Sequence, residues 1–159
     1  MSVKEGRDHF EIAAELGKRV EGDIRFDRYS RLLYSTDASI YQIEPIGVVV
    51  PRHRGDVQAV IELANRLNIS ILPRGGGTSL AGQAVGHSIV LDFSKYMQNV
   101  LEVNKEELWC RVQPGLVQDE LNAHVESRLH MVPRFRKKLA WVPAHQGRPV
   151  WVDDPHFDI

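Results

Sequence analysis

The stretch from Ile46 to Leu72 constrains the fold more than any other part of this 159-residue chain. Ile46-Gly47-Val48-Val49-Val50 is a β-branched run ended by Pro51, the pattern of a short buried strand. Residues 56–67 then place Val57, Val60, Ile61, Ala64 and Leu67 at i, i+3, i+4, i+7 and i+10, one continuous helix face. Asp56 is the expected N-cap of that helix. Ser70-Ile71-Leu72 follows as a second strand. A strand–helix–strand unit of this kind makes its two strands run parallel in one sheet, with the helix packed across them.

The remaining elements are shorter. Residues 7–20 mix apolar and charged positions at loosely helical spacing, which predicts a short amphipathic helix. Residues 25–44 carry no sustained period, and Ser35-Thr36-Asp37-Ala38-Ser39 reads as turn or loop. Ile89–Asp92 is a strand pattern, and 99–103 and 108–112 pair as a hairpin around the polar Asn104–Glu107. Gln113-Pro114-Gly115 is a turn before a helix over 116–125, with Val117, Leu121 and His124/Val125 on one side. The fold class is α+β, a small mixed sheet with packed helices.

Composition excludes several alternatives. Hydrophobic residues at 43% and charged residues at 26% are the mix of a globular chain, not a disordered or collagen-like one. Twenty Lys and Arg against 21 Asp and Glu leave a net charge of -1, which gives no case for nucleic acid. No apolar run approaches the roughly 20 residues that span a bilayer, and the N-terminus lacks the apolar centre of a secretory signal. Cys110 is the single cysteine, so an internal disulfide and a multi-cysteine metal site are both excluded. The cytoplasm is the expected compartment.

Gly75-Gly76-Gly77-Thr78-Ser79 directly follows the second strand. Each glycine costs an ordered loop about 0.5–1 kcal/mol relative to alanine. In return the backbone is bare, can adopt positive φ, and can turn successive amides toward one anion. The Thr78 and Ser79 hydroxyls can add hydrogen bonds to phosphate oxygens. Arg74 can add charge there, or can pair with a carboxylate elsewhere. A Walker A loop is excluded because no lysine stands in the loop. A Rossmann fingerprint is excluded because Leu80 stands where the third glycine belongs and the following residues are interrupted by Gly82 and Gly86. A plain glycine turn is the competing reading.

The loop sequence Pro73-Arg74-Gly75-Gly76-Gly77-Thr78-Ser79-Leu80-Ala81-Gly82-Gln83-Ala84 resembles the pyrophosphate loop of FAD-linked oxidases with a PCMH-type FAD-binding domain, the vanillyl-alcohol-oxidase superfamily. More narrowly it resembles the glycolate oxidase and D-lactate dehydrogenase branch. Tyr34–Tyr41 is similar to the opening motif of that family, Pro45–Pro51 with the 56–67 helix to its first strand–helix unit, and Val112–Gly115 to the turn before its next helix. Arg25-Phe26-Asp27 with Tyr34–Tyr41 is closest to large members that fuse the flavin domain to an iron–sulfur domain.

The resemblance implies the first lobe of a two-part FAD-binding domain. It implies Pro73, Arg74, Gly75, Gly76, Gly77, Thr78, Ser79 and Gln83 as cofactor-binding residues. Thr78 stands where some members carry a flavin-linking histidine, which implies non-covalent FAD. The family oxidises 2-hydroxy acids such as D-lactate or glycolate, passing a hydride to the flavin. A second lobe or an iron–sulfur partner, and an electron acceptor at the inner membrane, are implied beyond the chain.

The expected division is an N-terminal helical extension over 1–24, a partial FAD-binding domain over 25–125, and an irregular tail over 126–159. Those last 34 residues hold four of the eight prolines but a single glycine, Gly147, and lack the family's next glycine-rich segment. They suggest a truncated or frame-shifted gene product, and a non-catalytic remnant is the alternative to a working flavoprotein. Their run Arg134–Lys138 is read as a solvated charge run, and His130, His145 and His156 lack metal-pair spacing. Cys110 reads as a packing residue, Asp37 as a turn cap ahead of a flavin neighbour, His53 as a surface residue and His124 as a packing histidine. No metal site and no catalytic residue is nominated.

Overall fold

The computed structural model describes residues 9–107 and 109–129. Residues Met1–Val117 form one compact unit and Gln118–Ile159 a second. In chain order the first unit holds α1 (His9–Leu16), β1 (Asp23–Arg25), α2 (Arg28–Leu33), β2 (Gly47–Val50), α3 (Arg54–Leu67), β3 (Ile71–Arg74), β4 (Ile89–Asp92), β5 (Val100–Asn104) and β6 (Trp109–Val112). The described part of the second is α4 (Gln118–Leu129). The architecture is α+β, a mixed sheet with helices.

The main sheet has the order β1-β2-β4-β3. β2 and β3 are parallel, as the strand–helix–strand pattern demands, but each pairs with β4, which lies between them. β1 closes the other edge antiparallel to β2. β5 and β6 form the expected hairpin as a separate two-stranded sheet, with an irregularity between Val100 and Glu102.

The sheet is apolar on both faces, which explains why β2 and β4 read as continuous hydrophobic runs. On one face Val49, Ile89 and Leu91 pack with Val60, Leu63 and Ala64 of α3 and with Ile12, Leu16 and Val20. The N-terminal helix is therefore part of this core. On the other face Val48, Val50 and Val90 meet Tyr34, Leu72 and Tyr96.

Two details of α3 differ from expectation. His53 is its N-cap, its Nδ1 accepting the Asp56 amide at 3.3 Å. Asp56 is instead fully buried, accepting the amides of Glu21 at 2.9 Å and Arg52 at 2.8 Å, so it ties the helix start to two loops. The buried stripe runs through Asp56, Ala59, Val60, Leu63 and Ala64, while Ile61 is 49% exposed. The helix is rotated from the predicted face because its first turn follows the Asp56 anchor. Residues 25–44 also hold more structure than their composition suggests. The Asp27 side chain accepts the Ser30 amide at 2.9 Å and starts the six-residue α2.

α4 begins two residues later than the predicted 116–125 helix and runs through residues 126–129, so regular structure crosses the compositional break. It buries Leu121 and Val125; Val117 precedes it and is exposed. The basic run 134–138 and the histidines at 130, 145 and 156 lie outside the described residues. Among the described residues no helix is long and apolar enough to cross a membrane, and no group of three or more His, Cys, Asp or Glu could hold a metal ion.

Candidate cofactor-binding site

The parallel strands end in one row. Asp23 pairs with Val50, and Arg74 pairs with Asp92, at the carboxyl ends of β2, β3 and β4. In open sheets of this kind ligands bind outside those carboxyl ends. Here the chain leaves β3 at Arg74, passes through the glycine loop, and returns to begin β4 at Ile89.

The amides of Gly75, Gly76, Gly77, Thr78 and Ser79 donate no hydrogen bond within the described residues. Gly75, Gly76 and Thr78 are exposed. A Cβ added at Gly75 would meet nothing within 4 Å, and one at Gly76 only Thr78 Cγ2 at 3.6 Å. Packing among the described residues does not require these two glycines. Gly77 is different. Its φ is +67° and a Cβ there would lie 2.5 Å from Arg74 Nη2. Ser79 Oγ and the Gln83 side chain are hydrogen-bonded, and the Gln83 amide donates to Ser79 Oγ at 3.2 Å, closing the loop on itself.

The loop is braced against the segment after α2. Arg74 Nη1 donates to the Ala84 carbonyl at 2.9 Å and Nη2 to the Thr36 carbonyl at 2.9 Å. Its guanidinium lies 5.3 Å from the centre of the Tyr34 ring. The carboxylate partner considered for Arg74 is not what holds it; main-chain carbonyls do. Asp37 caps the turn at the Ser39 amide (2.8 Å) and also accepts the Ala84 amide at 3.2 Å. Those hydrogen bonds, Ser39's first, hold its carboxyl below the usual range. The Ala38 amide donates to the Gly77 carbonyl at 3.0 Å. Pro73 sits in β3, the outer strand, where a missing N–H costs the sheet little.

Exposed amides at the end of a parallel strand, with a threonine and a serine alongside, are the groups from which anion-binding loops are built. A family model described as FAD binding domain matches residues 45–136. The chain belongs to that family. Two D-2-hydroxyglutarate dehydrogenases, from Pantoea ananatis and Escherichia coli, are each 43% identical over 108 residues, 66% of this chain and 11% of theirs. The glycolate oxidase subunit GlcD of Bacillus subtilis is 35% identical over 115 residues, 69% of this chain and 24% of its own. The chain thus spans about a tenth of the length of the dehydrogenases it matches.

Solved structures agree on the fold. An alkyldihydroxyacetonephosphate synthase superposes with a TM-score of 0.65 at 22% identity, covering 79% of this chain and 26% of that one. A p-cresol methylhydroxylase gives 0.65 at 16% identity, covering 76% and 25%. The resemblance read from the glycine loop and the motifs around it therefore holds. The match to the FAD-binding family also runs beyond residue 126.

Two groups near the glycine loop carry no motif in the sequence. Tyr34 Oη donates to buried Asp92 at 2.5 Å. Burial, then that bond, pushes the phenol up to about 12. Asp92 also accepts the Ser94 amide at 2.8 Å. Its signal in the sequence is an aspartate closing the apolar run Ile89-Val90-Leu91. Asp23 accepts from Lys95 at 2.9 Å, Arg25 at 2.8 Å and Tyr96 at 3.1 Å, and the Lys95 bond leads in lowering its carboxyl to about 2. Cys110 is buried, as a packing residue would be, and burial pushes its thiol up. His53 is exposed, as expected of a surface residue, and also caps α3, while His124 lies half-buried on α4.

Proposed function

We propose that Gly75–Ser79 holds the pyrophosphate of a non-covalent FAD, within a protein that oxidises a 2-hydroxy acid. One observation carries the reading: five consecutive amides, without an acceptor among the described residues, on a backbone where a Cβ at Gly75 would touch nothing. The Thr78 hydroxyl adds a donor at the exposed side, and Ser79 with Gln83 fixes the far end. Residues 73–86 contain no histidine, which supports a flavin held without a covalent bond. When bound, FAD supplies a hydride acceptor. This chain's own residues bind and orient it; the acid–base groups for a hydroxy acid would lie on a further lobe or partner. The substrate class rests on relatives named D-2-hydroxyglutarate dehydrogenase, glycolate oxidase subunit GlcD and D-lactate dehydrogenase.

The test is an FAD titration of the full chain, read by flavin fluorescence, beside Gly75→Ala. The variant should melt where the wild type does, because its new methyl group meets open space. It should lose about tenfold or more in affinity, the effect of shifting a charge-assisted donor array by one carbon. A wild-type chain that binds no FAD, or a variant that binds as well as wild type, overturns the proposal in favour of a remnant without tight binding.

A further inference from the structure

We infer that Arg74 is the positioning residue of the glycine loop and does not itself contact the ligand. For its ligand this rests on the reading above; its mechanical part rests on geometry alone. The guanidinium of Arg74 ties together two further stretches of chain, 34–36 and the loop's end at Ala84. Nη1 reaches the Ala84 carbonyl at the loop's end, Nη2 reaches Thr36 before it, and the long Nη1 contact to the Tyr34 carbonyl is 3.5 Å. The Tyr34 ring beneath it is fixed in turn by Asp92 at the end of β4. A planar fork can serve divergent acceptors in this way, whereas a lysine ammonium on a flexible stem cannot hold them in one plane.

Gly77 shows what the fork shapes. Nη2 occupies the space that a Cβ of Gly77 would need, so the left-handed turn there is wrapped around the guanidinium. The Gly77 carbonyl is held from the other side by the Ala38 amide at 3.0 Å. With that carbonyl pinned and the turn filled from within, the amides of residues 75–79 are kept outside the loop's own hydrogen bonds. A phosphate approaching Arg74 would have to compete with carbonyls that it already serves. Asp37 holds the opposite polarity of the same joint, taking the Ala84 amide while Arg74 takes the Ala84 carbonyl.

The experiment uses the full chain as wild type, Arg74→Ala and Arg74→Lys. Amide exchange is followed without flavin, and FAD affinity is titrated across salt concentrations with and without methylguanidinium. Arg74→Ala should speed exchange of the Ala38, Gln83 and Ala84 amides, the hydrogen-bonded ones of this joint, by about tenfold or more, the signature of local opening, while α3 and β4 exchange as before. FAD affinity should fall with an unchanged salt slope, methylguanidinium should restore part of it, and Arg74→Lys should not substitute. Loop exchange as slow as wild type, with weaker FAD binding on a flatter salt slope, would make Arg74 a direct phosphate ligand and overturn the inference. Should Arg74→Ala not fold, Arg74→Lys decides by the same exchange measurement. A wild type that ignores FAD refutes the proposed function, while the exchange comparison still judges the brace.

Discussion

The central sheet and the glycine loop that joins two of its strands are held by opposite means. β2 and β4 are buried along their whole length, and their neighbours are other apolar side chains. The loop from Gly75 to Gly86 holds only two buried residues, Ala84 and Val85, and its largest apolar side chain, Leu80, is 81% exposed. What fixes the loop is hydrogen bonding between side chains and main chain, from Arg74 and Asp37. Non-directional packing sets a sheet's stability, whereas a ligand loop needs directional bonds that hold its shape yet leave one face bare.

The largest effect should come from the packed side. Leu63→Ala empties a site between α3 and the sheet face. It should cost about 3 kcal/mol in urea unfolding, the usual range for a buried leucine. FAD affinity of the molecules that remain folded should be unchanged. A parallel loss of affinity would show that sheet and loop are less separate than described.

Tyr34 sits on the seam, against Val48, Val50 and Val90 on one side and under Arg74 on the other. Tyr34→Phe leaves Asp92 short of one donor in a buried place, a cost of about 1–3 kcal/mol. The wild type should also lose stability as pH rises from about 10 toward about 12, because folding raises the phenol's pKa and the protonated form is the one it stabilises. Denaturation midpoints between those pH values should fall for the wild type and stay flatter for the variant.

The smallest effect is at the far end of the same row. Asp23 has its carboxyl lowered to about 2 from 3.8 by Lys95, Arg25 and Tyr96. That contribution is present above the unfolded value and lost as pH falls through about 2. Asp23→Asn should therefore be less sensitive than wild type between about pH 4 and 2, seen as a flatter melting-temperature profile. Equal slopes would remove Asp23 from the structural account of this edge.

Legibility in the sequence followed the same division. Apolar runs marked the strands at 46–50 and 89–92 because burial on both faces leaves a continuous hydrophobic pattern, and Ile71-Leu72 marked the half-buried edge strand. The order of those strands was not legible. Nothing in Ile89–Asp92 marks it as the strand that enters between the other two. The α3 face was misplaced because a fully buried Asp56 behaves as a core residue, and periodicity counts only apolar side chains. The glycine loop was visible as a chemical oddity, and the family likeness gave it a ligand. Its braces were hidden because they run from side chains to carbonyls, and every residue offers a carbonyl. The break in composition at 126 did not mark an end of structure, since α4 continues to Leu129.

The placement of β4 between β2 and β3 has a kinetic consequence. The hydrophobic layer cannot be completed until the polypeptide has travelled out along Gly75–Ser88 and come back. Closing that loop is thus a step in assembling the layer, not a decoration added afterwards. Lengthening that excursion raises the entropy of closure only slowly, but it must be met before the inner strand can dock. The fourteen residues proposed to hold a cofactor are thus also the ones the polypeptide must fold back to seat its inner strand.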